Sequence, residues 1–120
     1  MKPYVIQSFK SDRGEIADAR LLSVSNDAVR VIEVSGTEVE LQPEDRTVYN
    51  CGELTALTLL SFPAKGAFVV VFTSGTQATT LTVPQTLCMP ADFAVEAGTR
   101  YEINVRDGYA LCAGWAVSGL

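Results

Sequence analysis

The segment from Arg100 to Val117 constrains the fold more than any other part of the chain. In Arg100-Tyr101-Glu102-Ile103-Asn104-Val105-Arg106, apolar Tyr101, Ile103 and Val105 alternate with charged or amide side chains, the period of a strand with one buried face. Asp107-Gly108 follows, a dipeptide that tolerates the two positive φ angles of a type I′ turn, so the chain is expected to return as an antiparallel hairpin. The return strand puts Tyr109, Leu111, Ala113, Trp115 and Val117 on one face and only Ala110, Cys112, Gly114 and Ala116 on the other. Trp115, on the bulky face, is expected to fill the core. The small-residue face lets another surface approach closely. That surface is either a second sheet or loop of the same chain, the commoner cause, or another copy of the chain across a symmetry axis.

Other segments carry the same strand signature. Ala67-Phe68-Val69-Val70-Val71-Phe72 is β-branched and aromatic throughout and bounded by glycines, which predicts a central strand buried on both faces. Thr79 to Val83 alternates until Pro84 removes a ladder donor. Glu53 to Phe62 shifts phase at Leu59-Leu60, as a bulge would make it do. Ala28 to Val34 and Glu38 to Leu41 flank Ser35-Gly36-Thr37, a second hairpin signal with Val39 and Leu41 inward and Glu38 and Glu40 in water. Only Asp12 to Leu22 suits a helix, with Ile16, Ala19 and Leu22 at helical spacing and Asp12 three residues before Glu15. The expected fold is therefore all-β, an antiparallel β-sandwich or jelly roll with at most one short helix near the N-terminus, in one domain spanning 1–120. A faint echo links Leu41 to Tyr49 with Val95 to Tyr101: a turn-forming stretch, an Arg or Thr, then a Tyr opening an extended segment. Two occurrences do not make a repeat architecture.

Charge and composition narrow the function. With 14 acidic and 9 basic side chains, nucleic acid and anionic membranes are disfavoured partners, because both would repel the chain. No histidine is present, which removes every mechanism that relies on one. The longest apolar run, Ala67 to Phe72, is too short for a membrane helix, and the first ten residues show no secretory signal. Cys51, Cys88 and Cys112 are widely spaced and read as small buried apolar side chains made in a reducing compartment, with a disulfide between two of them as the alternative. Glu38 and Glu40 share a strand face and read as solvated. Neither Glu44-Asp45 nor the stretch from Asp92 to Glu96 has the ligand rhythm of a calcium loop, and Ser74-Gly75-Thr76 lacks the helix of a phosphate cradle. No catalytic, metal or cofactor site is expected, and the chain reads as non-enzymatic. Tyr49 and Tyr101 are the candidate aromatics for contact with a ligand such as a sugar. The charge is unevenly spread: residues 1–50 carry 15 charged side chains and residues 51–120 only 8. A face so poor in charge favours self-assembly or docking on a partner.

The run Gly52-Glu53-Leu54-Thr55-Ala56-Leu57-Thr58-Leu59, then Phe72-Thr73-Ser74-Gly75-Thr76-Gln77-Ala78-Thr79-Thr80-Leu81-Thr82-Val83-Pro84, then Val95 to Ile103 and Asp107 to Leu111, resembles a β module of tailed-bacteriophage virion proteins. The resemblance spans about Leu41 to Val117, and its most specific part runs from Phe72 to Pro84. It implies a sandwich-like domain (41–120), commonly trimeric, preceded here by an N-terminal anchoring or partner-contact segment (1–40). The chain lacks a shaft, coiled coil or collagen-like repeat before the module, which favours a compact accessory piece over an extended fibre. The function so implied is a structural accessory of the virion, a capsid decoration, head fibre or tail-associated piece, with other virion proteins as partners. The alternative is a carbohydrate- or host-receptor-binding module of a tail fibre, contacting a host-surface glycan.

Overall fold

The protein is described by a computed structural model over residues 29–117; the expected helix from Asp12 to Leu22 lies outside them. Eight strands follow in order: β1 (Arg30–Val34), β2 (Glu38–Leu41), β3 (Thr47–Leu54), β4 (Ala56–Leu59), β5 (Ala67–Ser74), β6 (Thr80–Thr82), β7 (Thr99–Arg106) and β8 (Tyr109–Ala116). Five form one sheet in the order β1-β3-β5-β7-β8 and three form a second in the order β2-β4-β6. No described residue is helical. β1 and β2, which lie between residues 30 and 41, are strands of these two sheets.

Up to β7 the chain changes sheet at every step, and this overturns the expectation of antiparallel pairing throughout. Across the short connections from β2 to β6 the chain re-enters each sheet in its earlier direction, so β3 pairs parallel with β5, and β4 pairs parallel with both β2 and β6; after the longer connection from β6 to β7 it returns reversed, and β7 runs antiparallel to β5. Each crossing strand does what a helix does in a βαβ unit. Only β5–β7 and β7–β8 are antiparallel among the pairs whose direction is defined here. For the same reason Ser35-Gly36-Thr37 is not a hairpin turn: β1 and β2 flank it but lie in different sheets. The expected long strand from Glu53 to Phe62 is likewise divided. Thr55 turns the chain from β3 into β4, and the phase shift falls there: Leu54, Leu57 and Leu59 are buried while Leu60 is exposed. A register irregularity does occur, earlier, between Asn50 and Glu53.

The two sheets share one core. Val39, Leu41, Leu57 and Leu59 come from the smaller sheet, and Tyr49, Leu54, Phe68, Val70, Phe72, Ile103 and Val105 from the larger. Glu38 and Glu40 point to water as their alternation requires. β5 is the central strand expected from its composition: Phe68, Val70 and Phe72 enter the core, and Val69 and Val71 on the opposite face are buried as well.

β3 and β7 begin with the same local device. In Glu44-Asp45-Arg46-Thr47-Val48-Tyr49 and Glu96-Ala97-Gly98-Thr99-Arg100-Tyr101, the third residue has positive φ (60° at Arg46, 68° at Gly98). The threonine hydroxyl donates to the carbonyl two residues back, at 3.1 Å in both cases. The tyrosine hydroxyl then accepts the N–H five residues back, at 2.9 Å from Glu44 and 2.7 Å from Glu96. Each tyrosine thus pins the loop before its strand from inside the core, as a tyrosine corner does in immunoglobulin-like domains. The echo between the two segments is this motif. Changing Tyr49 or Tyr101 to Phe should lower unfolding free energy by about 1 kcal/mol each, and the double variant by nearly the sum because β5 separates the sites; urea denaturation with unchanged far-UV circular dichroism checks this.

Candidate functional site

The β7–β8 hairpin turns at Asp107 (φ 50°) and Gly108 (φ 83°), both left-handed as a type I′ turn needs. A two-residue turn sets the register: Arg106 faces Tyr109, so Val105 pairs with Ala110, Ile103 with Cys112 and Tyr101 with Gly114. Paired residues share a face, and Tyr101, Ile103 and Val105 are buried. The small residues of β8 are therefore the inward set. Ala110 is buried and Cys112 half-buried against the core, while Gly114 and Ala116, farther along the strand, are exposed. The bulky residues point away from the core, which corrects the expectation for Trp115: it is 47% exposed, with Tyr109 at 69% and Leu111 at 66%.

Gly114 is required by its cross-strand neighbour. A Cβ there would lie 2.7 Å from Cε1 of Tyr101, whose ring lies against the glycine backbone. That ring also stacks on Phe72 and meets Phe93 edge-on, with centroids 5.5 Å away in each case. Tyr101 is only 6% exposed and Tyr49 only 5%, and the hydroxyl of each is held by backbone. Neither offers an exposed ring face. They are core anchors, and this corrects their reading as contact aromatics.

β8 closes one side of the larger sheet and, from Tyr109 to Ala116, carries no charge and no proline. Its hydrogen-bonding directions follow from the register. The residues flanking a two-residue turn form a hydrogen-bonded pair, so Tyr109, Leu111, Ala113 and Trp115 direct their N–H and C=O groups to β7, and the alternate residues direct theirs away. Cys88 covers the start of this outer edge, donating to Gly108 O and accepting from Ala110 N, both at 2.9 Å. Beyond it, no described strand pairs with the outward groups of Cys112, Gly114 and Ala116.

The remaining polar features are structural in their contacts. On the face of the larger sheet away from the core, Asn50 donates to Glu33 at 3.0 and 3.1 Å, and Arg100 donates to Asn50 at 3.1 Å and to Thr73 at 2.6 Å. Glu102 and Asn104, expected in water, are buried there, Asn104 donating to Glu102 at 2.8 Å. Asp45 accepts the Ala67 N–H and Asp107 the Gly66 N–H, each at 2.8 Å, which locks two loops together. Among the described residues no three Cys, Asp or Glu side chains converge as metal ligands would. At the hairpin end lies a groove of ≈ 600 Å³ whose lining includes Leu60, Phe62, Pro84, Cys88, Asp107 and Tyr109.

No family model, curated protein or solved structure matches the chain.

Burial pushes the thiols of Cys51 and Cys112 from 9.0 up to about 11; at Cys51 the Arg100 charge opposes the rise and Glu33 adds to it. Cys88 is exposed. At pH 8 iodoacetamide should modify Cys88 first, and the other two at least about 100-fold more slowly than a free thiol, since two pKa units set the thiolate fraction. A thiol proton that the folded chain holds to higher pH than the unfolded chain stabilises the fold below pH 9, and that contribution is lost as pH rises toward 11. Denaturation midpoints should fall over that window, less steeply in Cys51→Ala.

Proposed function

We propose that this protein is a non-enzymatic structural accessory of a tailed-bacteriophage particle, seated on the capsid or tail and associating with copies of itself. The observation that carries the self-association is β8: an eight-residue edge strand without charge or proline, with Tyr109, Leu111 and Trp115 exposed. Monomeric proteins blunt such edges with lysine, proline or bulges, because an open, apolar edge is a template for pairing. The phage part of the reading rests on sequence resemblance, and its most specific element has a defined place in the fold. Phe72-Thr73-Ser74 ends β5, Gly75 to Ala78 crosses between sheets, and Thr80–Thr82 is β6. Ser74 and Thr79 clamp that crossing: Ser74 Oγ accepts the Thr79 N–H at 2.9 Å, and Thr79 Oγ1 donates to Leu54 O at 2.7 Å. We read the two facing sheets as a small sandwich suited to seating on a larger surface. Mass spectrometry of gradient-purified particles of the encoding phage should find this chain in many copies, with antibody labelling placing it on head or tail. A particle without the chain overturns the reading.

The groove at the hairpin end favours a second reading, a glycan-binding module. Tyr109 and Phe62 offer apolar ring surface there, and Asp107, Ser61 and Thr86 offer polar groups. Binding on a glycan array that Tyr109→Ala abolishes supports it; an array with no signal excludes it.

A further inference from the structure

We infer that two copies of this chain join edge to edge through β8, antiparallel about a two-fold axis at Gly114. This rests on the self-association part of the reading above and is independent of its phage part.

The open edge is self-complementary in its backbone. Cys112, Gly114 and Ala116 each direct one N–H and one C=O outward, and the three are symmetric about Gly114. With Gly114 opposite its own copy, Cys112 of each strand faces Ala116 of the other. All three outward residues then fall in hydrogen-bonded pairs, giving six N–H···O=C bonds. Moving the axis to Ala113 or Cys112 runs the second strand toward Ala110, whose N–H is already taken by Cys88. Moving it to Trp115 leaves fewer outward groups paired. The Gly114 register alone uses the whole open edge.

The side chains fit the same register. On the face away from the core, each Trp115 comes opposite Ala113 of the second copy, a large ring over a methyl group, and each Leu111 comes opposite Val117. On the other face only Cys112, Gly114 and Ala116 meet, and none has the volume to block approach. Charge adds a further condition. The chain carries a net charge of −5, so copies approach each other most easily where neither presents charge, and Tyr109 to Val117 has none. The opposite edge of the sheet, β1, carries Arg30 and Glu33 and offers no such self-match. Where the resemblance implies three-fold order, the open edge sets two-fold order.

Light scattering and sedimentation equilibrium of the full chain should give twice 12.9 kDa. Ala116→Pro deletes one outward N–H per chain and leaves the β7 ladder intact, because proline is tolerated where the N–H of an edge strand faces out. It should raise the dissociation constant at least about tenfold, two hydrogen bonds being lost per dimer. Leu111→Glu, which replaces the apolar contact with Val117 of the second copy by a carboxylate and adds a negative charge to each copy, should do the same and serves if the proline variant does not fold. Ala116→Cys brings a thiol opposite Cys112 of the second copy, within disulfide reach for such a pair. Mild oxidation should yield a covalent dimer that Cys112→Ser abolishes and Cys88→Ser does not. A three-chain mass, a monomer at millimolar concentration, a dimer indifferent to both β8 substitutions, or a crosslink routed through Cys88 overturns the inference. Each of these results leaves the search for the chain on phage particles unaffected.

Discussion

The rest of the fold depends on β5 having to be buried on both faces and paired along both edges. Phe68, Val70 and Phe72 fill the space between the sheets while Val69 and Val71 are buried behind them, so the strand is stable only as the middle of a sheet. β3 supplies one neighbour and β7 the other, and the pattern of inward residues runs across them: Tyr49 beside Val70 beside Ile103 beside Cys112. Because β3 and β5 are parallel, the chain between them must cross the molecule, and β4 makes that crossing while covering the core with Leu57 and Leu59. One demand on one strand thus produces both sheets and their alternating connectivity.

The two tyrosine anchors keep this arrangement in register. β3 and β7 are the strands on either side of β5, and each is preceded by a loop that must reverse into it. Tying the N–H of Glu44 and Glu96 to phenol groups inside the core couples loop shape to core packing. Tyr101 links further to the hairpin, since its ring occupies the space that a side chain at residue 114 would need. The bareness of the β8 edge and the solidity of the core beneath it are two results of one contact.

Much of the architecture was legible in the chain. The inward set Tyr101, Ile103 and Val105, the Asp107-Gly108 turn, the apolar run of β5, the exposed Glu38 and Glu40 and the stop at Pro84 all act through local physics and stand as expected, whereas the burial of Glu102 and Asn104 on the other face of β7 does not show in its alternation. The facing of β8 was legible too, since a two-residue turn places residues 105 and 110 on one face; judging side-chain volume alone reverses it. The tyrosine anchors left a readable signal, Glu, two residues, Thr, one residue, Tyr, whose meaning lies in hydroxyl-to-backbone bonds that no periodicity displays. The candidate edge was visible only as a charge-poor stretch.

The sequence by itself determined which segments are extended, where they turn and which side of most strands is apolar, because those properties follow from each residue and its immediate neighbours. Only the tertiary structure decided which strands pair, in which direction and in which sheet. Ser35 to Thr37 looks locally like a hairpin turn and Glu53 to Phe62 like one strand bulged at Leu59-Leu60, yet Ser35 to Thr37 and Thr55 each carry the chain to the opposite sheet, since parallel pairing is settled by residues some twenty positions apart. For the same reason the open edge at Cys112, Gly114 and Ala116 is a property of the assembled sheet, in which β7 takes one side of β8 and no described strand beyond Cys88 takes the other.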